Sequence, residues 1–182
     1  MVLASSGEDA IVSCNACRYA ANVEKAEGVR SSAAPRGNRP IEKVHTPDRR
    51  TIAEVAEFLG LQQSETVKTL IMSNGEEQFV MALVRGDHEL NELKLKNRLG
   101  WDEIRMATDD EIIRLTGSMP GFLGPAGLKT DMKVLADFAI ESMADMAIGA
   151  NEVDQHFTGA NHGRDFNISA FKEIRLIGAG DP

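Results

Sequence analysis

The stretch Thr66-Val67-Lys68-Thr69-Leu70-Ile71 places a single lysine inside an otherwise apolar, β-branched run. Runs of this kind are typical of β-strands. Asn74-Gly75 then follows as a hairpin turn signal, and residues 78–84 form a second run of strand length. The sequence therefore predicts a β-hairpin whose first strand carries Lys68.

Helix and strand signals lie on both sides of this hairpin. Two Thr-x-x-Glu capping boxes, Thr51 with Glu54 and Thr108 with Glu111, predict two helix starts. The elements expected around the hairpin are helices over 51–60, 89–99 and 108–117, and strands over 104–106, 133–138, 146–149 and 174–177. Because strands and helices mix without a βαβ repeat, the sequence predicts an α+β fold with a mixed sheet.

Composition narrows the class of protein. The chain has 182 residues and a formal net charge of −8. A protein that binds nucleic acid mainly by neutralising phosphates is usually basic, so a strong nonspecific nucleic-acid binder is not expected. No apolar run approaches the ~20 residues that span a bilayer, and the first residues lack the basic region of a signal peptide. A cytoplasmic protein with no membrane partner is the default expectation.

The first 43 residues differ from the rest. An Ala-rich piece over residues 19–25 reads as helix-like, and the polar Gly, Ser and Pro content of residues 26–43 predicts a linker. The compact domain is then expected from Val44 onward. Cys14 and Cys17 form a Cys-x-x-Cys pair without a second pair, so incidental thiols are favoured over a zinc or redox site.

The familiar hydrolytic motifs are missing from the sequence. It has no Gly-x-Ser-x-Gly elbow, no His-Glu-x-x-His pattern and no phosphate-binding Walker loop. What remains is a site made of backbone and a few charges. The Gly121-Phe122-Leu123-Gly124-Pro125 loop could aim N–H groups at an oxyanion, but composition alone favours a surface turn that needs glycine for positive φ.

The charged candidates each have an ordinary alternative. Lys68 could bind a phosphate, but the residues alone favour a solvated strand-edge lysine. Asp87 and His88 could simply cap the helix that follows. Asp137 interrupts an apolar run and lies either on a strand face or in a turn. His156 is expected in a polar loop, where a solvated side chain is the usual outcome.

Beyond these residue-level readings, the chain closely resembles a known family, the editing domain inserted in bacterial prolyl-tRNA synthetases, of the YbaK-like deacylase type. The resemblance rests on short motifs that occur in the same order: Ser6-Gly7-Glu8-Asp9, Tyr19-Ala20-Ala21-Asn22-Val23-Glu24, Thr46-Pro47, Thr51-Ile52-Ala53-Glu54, Thr66-Val67-Lys68-Thr69, Leu83-Val84-Arg85-Gly86-Asp87-His88-Glu89-Leu90-Asn91-Glu92, Gly121-Phe122-Leu123-Gly124-Pro125, Gly149-Ala150-Asn151, Arg164-Asp165 and Ala179-Gly180-Asp181-Pro182. It implies a partly barrel-like mixed sheet with flanking helices. It also implies hydrolysis of alanine wrongly esterified to the proline tRNA.

The resemblance assigns roles residue by residue. Lys68 would anchor the phosphate of the terminal adenosine, and His156 would set the size limit for the aminoacyl group. Gly121, Gly124 and Pro125 would hold the ester carbonyl. Further substrate contacts are implied for Thr46, Thr66, Arg85, Asp87, His88 and Asp137. No metal or cofactor is implied for editing, because ATP and Mg²⁺ would serve only the synthetase core, whose motifs are not in this sequence.

The resemblance also divides the chain. Residues 1–43 would be a leading segment and flexible linker, residues 44–178 the editing domain, and residues 179–182 a return segment toward the synthetase core. The implied partners are the alanine-bearing acceptor end of the proline tRNA and the rest of the synthetase. Two alternatives stay open: a structural insert that has lost hydrolysis, and a free-standing deacylase that acts in trans.

Overall fold

The computed structural model describes residues 11–30, 37–178 and 181. These residues contain ten strands, four α-helices and one 3-10 turn. The strands are β1 Ile11–Ser13, β2 Ala20–Asn22, β3 Glu42–His45, β4 Val67–Ser73, β5 Phe79–Arg85, β6 Arg105–Met106, β7 Lys133–Asp137, β8 Met146–Gly149, β9 Gln155–Ala160 and β10 Ala170–Lys172. The helices are α1 Ile52–Leu59, α2 Glu92–Leu99, α3 Asp109–Thr116 and α4 Phe138–Glu141, and the 3-10 turn covers Gln63–Glu65.

The predicted hairpin forms the middle of a mixed five-stranded sheet. The strand order is β10-β7-β5-β4-β6, in which β4 pairs antiparallel with β5 and β6 while β7 pairs parallel with β5 and β10. A second sheet, β3-β9-β8, is antiparallel. A parallel bridge between Thr66 and Ala147 joins the two sheets. The predicted α+β class with a mixed sheet is confirmed, and the described strands do not close into a barrel.

Alternation along β5 divides the core into two layers. Met81 and Leu83 face a cluster that also holds residues of β7, β8 and β9. Val80, Ala82 and Val84 face the opposite side, toward α2. Because successive side chains point to opposite faces of a sheet, a strand buried on both faces reads as a continuous apolar run. This explains why the sequence of β5 shows no polar alternation.

The helix boundaries follow the capping signals. Both predicted capping boxes form: the Thr51 hydroxyl accepts from the Glu54 N–H, and the Thr108 hydroxyl accepts from the Glu111 N–H. The first of these helices ends at Gly60 in the left-handed region, with φ 67°. The helix expected from residue 89 begins at Glu92 instead, because Asn91 supplies the cap.

Three predictions of secondary structure are wrong. Residues 20–22 form a strand paired with β1 rather than a helix. Residues 174–177 are not a strand: Arg175 makes one isolated bridge with Leu90, and β10 lies earlier in the chain. The polar stretch around His156 is strand β9 rather than a loop. Residues 20–22 are a strand because they pair with β1, and β9 pairs with β3 more than a hundred positions earlier; local composition reveals neither pairing.

Part of the predicted linker packs against the domain. Ala26 is fully buried, and its carbonyl accepts a hydrogen bond from the Lys94 ammonium. β3 begins at Glu42, close to the expected domain start at Val44. The motif at Ser6 and most of the return segment lie outside the described residues, so the division into three segments stays a prediction. Within the described part of the chain, no helix is long and apolar enough to cross a membrane.

Candidate active site

A cleft of about 440 Å³ opens where the two sheets meet. Its walls come from the loop before α1, the start of α1, the first half of β4, the loop residues Gly121 and Leu123, and strands β8 and β9. A cleft of this volume is within the range of small-molecule sites, ~300–1,000 Å³. The structure brings four of the predicted site residues to it: Lys68, Thr66, Gly121 and His156.

Lys68 is held at the cleft by the turn that follows β5. Its ammonium donates to the His88 carbonyl at 3.0 Å and to the Glu89 carboxylate at 2.6 Å. The Lys68 side chain is only 21% exposed. A partly buried ammonium beside an open cleft is better suited to bind an anionic ligand group than the ammonium of a fully solvated lysine is.

His156 forms a wall of the cleft and is fixed from behind. It lies on β9 opposite Val44 of β3, is buried, and its Nδ1 is 2.7 Å from the hydroxyl of the fully buried Thr46. Phe122 packs against the His156 ring edge-on, with the ring centroids 6.0 Å apart. Burial lowers the pKa of His156 below its ordinary value, opposed by a backbone hydrogen bond with Gly121 and by the charge of Asp154. The ring is therefore suited to shaping the pocket as a neutral group.

The two loop glycines have different roles. Gly121 lines the cleft with φ 95°. Gly124 is buried, and a Cβ at this position would overlap the Gly149 carbonyl oxygen. The Gly124 N–H donates to Asn151 Oδ1 at 3.0 Å, so it is not aimed at a substrate oxyanion. Pro125 is likewise buried and absent from the cleft wall. Within this loop, only Gly121 and Leu123 reach the cleft.

Asn151 organises that loop, and sequence reasoning gave it no role. Its Nδ2 donates to the carbonyls of Gly124 and Ala126, both at 2.9 Å, while its Oδ1 accepts the Gly124 N–H. The Asn151 backbone is left-handed, with φ 55°, a conformation that asparagine adopts more readily than most residues. Its place in the Gly149-Ala150-Asn151 motif was the available signal.

Thr66 is fixed at the junction between the sheets. It is buried, its hydroxyl donates to the Gln63 carbonyl at 2.8 Å, and its own carbonyl accepts the Gly86 N–H at 2.8 Å. With these bonds and the bridge to Ala147, Thr66 sets the position from which β4 carries Lys68 along the cleft.

Asp137 lies in a separate cluster. It caps α4 through the Ala139 N–H at 2.9 Å and accepts the N–H groups of Ile174 at 3.0 Å and Arg175 at 3.1 Å. It is fully buried and does not line the cleft. The carboxylate therefore anchors the chain around residues 174–175, and the structure does not place it against a substrate in the cleft.

Arg85, Asp87 and His88 also belong to that second cluster. Arg85 makes two bonds to the Asp87 carboxylate, at 2.6 and 3.0 Å, and its Nη2 is 2.8 Å from His88 Nε2. Burial and the Arg85 charge lower the pKa of His88. Only the backbone carbonyl of His88 reaches Lys68, so these three side chains support the turn beside the cleft and do not line it.

Arg50 and Glu89 line the cleft although neither was predicted to. The Arg50 guanidinium lies 5.7 Å from the centre of the Phe122 ring, and the aliphatic part of Arg50 packs against Gly121. The position of Arg50, directly before the capping box of α1, was visible in the sequence, but its direction toward the cleft depends on the tertiary fold.

No metal-binding group stands out in the part of the chain that the structure describes, where no set of three His, Cys, Asp or Glu side chains comes together. Cys14 and Cys17 are exposed in the turn between β1 and β2. The Ala16 N–H, followed by contacts with Cys17, lowers the pKa of Cys14. These thiols take no part in the cleft.

Comparison with known proteins covers the same residues. Residues 46–166 match the model of the aminoacyl-tRNA editing domain family. The chain is 77% identical over 182 residues to a proline–tRNA ligase of Trichlorobacter lovleyi, covering all of this chain and 32% of that protein. It is 58% identical over 184 aligned positions to a proline–tRNA ligase of Pelobacter propionicus, again over 100% of this chain and 32% of the relative. The chain thus spans about a third of the length of these curated relatives.

Solved structures share the fold. A putative trans-editing enzyme for prolyl tRNA synthetase aligns with a TM-score of 0.61 and 23% identity, over 74% of this chain and 86% of that one. A hypothetical protein aligns with a TM-score of 0.63 and 23% identity, over 75% of this chain and 91% of that one. At this level of identity the likeness concerns the fold alone.

Proposed function

Because the chain belongs to the aminoacyl-tRNA editing domain family, we propose that it hydrolyses alanine wrongly esterified to the proline tRNA, as one part of a proline–tRNA ligase. The curated relatives that carry this sequence bear that ligase name. A pocket sized for proline cannot strongly reject the smaller alanine, since missing methylenes cost only ~1–3 kcal/mol in discrimination. A second, smaller pocket that admits alanine and excludes proline solves this problem.

One observation carries the proposal: a phosphate-type cation and a rigid, neutral pocket wall share one cleft. Lys68 supplies the cation, and His156 supplies the wall. Thr46 does not line the cleft; it holds the His156 ring from behind. The terminal adenosine of a tRNA carries a phosphate. Its ribose is joined through one ester oxygen to the aminoacyl carbonyl. In the proposed complex Lys68 binds the phosphate while the amino-acid side chain lies against His156.

The proposed reaction uses water as the nucleophile. Water adds to the ester carbonyl carbon, the bond to the ribose oxygen breaks, and that oxygen leaves with a proton from the attacking water. The free hydroxyl of the terminal ribose assists the proton transfer. Gly121 and Leu123 are the loop residues at the cleft, and in this proposal the Gly121 N–H donates to the oxyanion, since the Gly124 N–H is already bonded to Asn151. We propose no cofactor or metal for this ester hydrolysis.

The proposed partners are the acceptor end of the tRNA and the remainder of the ligase. With a net charge of −8, this chain offers little general attraction for a tRNA body. In this proposal the cleft holds only the terminal nucleotide, while the rest of the ligase supplies the affinity for the tRNA body, in the cytoplasm where translation takes place.

The test is deacylation of alanyl-tRNA by the purified chain and by two lysine variants. Lys68→Ala removes the proposed phosphate anchor and should abolish hydrolysis while the circular dichroism spectrum stays unchanged. Lys43→Ala is the matched control, because Lys43 also pairs with a glutamate, Glu152 at 2.8 Å, but lies outside the cleft. Full activity in Lys68→Ala would refute the site. No activity in the unaltered chain or in the whole ligase would favour a structural insert.

A further inference from the structure

An acidic side chain of the protein itself occupies the proposed phosphate anchor. Glu89 Oε1 lies 2.6 Å from the Lys68 ammonium, at the wall of the cleft. The Glu89 side chain is 72% exposed, whereas that of Lys68 is 21% exposed. The carboxylate thus reaches in from solvent and takes the position that an anionic ligand group would need.

The two acceptors on Lys68 differ in how firmly they are held. The His88 carbonyl belongs to a backbone turn that is pinned by two hydrogen bonds, from Leu176 N–H to the Glu89 carbonyl at 2.7 Å and from Asn91 N–H to the Ile174 carbonyl at 2.8 Å. The Glu89 carboxylate is at the end of an exposed side chain. An ammonium has three donors, so the carbonyl can keep Lys68 in place while another acceptor replaces the carboxylate.

We propose that Glu89 is a built-in competitor for Lys68, which the phosphate of the terminal nucleotide must displace on binding. This inference rests on the proposed function and adds how the affinity of the same site is set. An exposed ion pair is weak, so displacement is possible, but it still reduces the net gain from each new phosphate contact. The return of Glu89 to Lys68 then favours release of the deacylated tRNA end, which no longer carries the amino acid.

The proposal predicts that removing the Glu89 charge strengthens binding. The probe is the ribotrinucleotide CCA, titrated into the chain at low salt and followed by NMR. Glu89→Gln should bind it about three- to fivefold more tightly, the effect expected from losing one exposed competing pair. Glu152→Gln is the matched control, because it breaks the exposed pair with Lys43 and changes the net charge equally, and it should bind like the unaltered chain.

A Lys68→Ala background shows whether the effect passes through Lys68. In that background, Glu89→Gln should leave CCA affinity unchanged, because no ammonium remains to compete for. The proposal is overturned if Glu89→Gln binds CCA no more tightly than Glu152→Gln does. It is also overturned if Glu89→Gln gains as much CCA affinity in the Lys68→Ala background as in the unaltered chain, or if no variant binds CCA. Since no hydrolysis is measured, a failure of the deacylase function appears separately, in the alanyl-tRNA assay.

Discussion

Replacing Asn151 by glycine should loosen the loop that carries Gly121 and Gly124. The change deletes three hydrogen bonds, one accepted from Gly124 N–H at 3.0 Å and two donated at 2.9 Å to the carbonyls of Gly124 and Ala126. Glycine adopts the left-handed backbone at φ 55° without strain, so the variant isolates the side chain. At about 1 kcal/mol for each net hydrogen bond, the loss is about 3 kcal/mol in the free energy of unfolding.

Urea unfolding followed by circular dichroism measures this loss, and deacylation of alanyl-tRNA measures its effect on the cleft. A typical domain unfolds with ~5–15 kcal/mol, so the variant should remain folded at low temperature while the deacylation rate falls. Asn74→Gly is the control, because the Asn74 side chain bonds only the hairpin turn, at the N–H groups of Glu76 and Gln78. If Asn151→Gly unfolds and reacts like the unaltered chain, the assignment of the loop to Asn151 is refuted.

Three further predictions concern the pocket wall and a helix cap. Thr46→Val keeps the shape but leaves His156 Nδ1 buried without its partner, so urea unfolding should show a loss of about 1–3 kcal/mol that Thr46→Ser largely avoids. The pKa of His156 in the folded protein lies below its ordinary value of 6.5. The contribution of His156 to stability is therefore present above pH 6.5 and is lost as the pH falls through the folded pKa. His156→Gln should flatten the dependence of the melting temperature on pH in that range. Thr108→Ala removes the cap of α3 and should cost about 1 kcal/mol in urea unfolding with no change in deacylation rate.

Local signals were enough for the parts of the fold that depend on neighbouring residues. The hairpin of β4 and β5 and both capping boxes are set within a few residues, and they form as predicted. Strand β9 was missed because it pairs with β3, more than a hundred positions earlier, and its own sequence is polar. Residues 19–25 have helix-forming alanines, yet pairing with β1 overrides that preference.

The residues of the candidate site also differ in how far the sequence alone could predict them. Lys68 and His156 were singled out through the resemblance, and the structure places both in one cleft, although the sequence alone favoured solvated side chains for both. Asp137 was expected in the pocket, but a buried carboxylate that accepts three backbone N–H groups looks the same in a sequence as one that faces a substrate. The role of Glu89 was invisible because its contact with Lys68 spans 21 positions and depends on the turn after β5.

The central claim is that this cleft accepts alanine and excludes proline. The most direct test compares two initial rates of deacylation, one for the proline tRNA charged with alanine and one for the same tRNA charged with proline. Both rates are measured with the unaltered chain and, in parallel, with the whole ligase. We expect the alanyl ester to be hydrolysed and the prolyl ester to be spared, because His156, held from behind by the buried Thr46, limits the space in the cleft. Equal rates on the two esters would contradict the account.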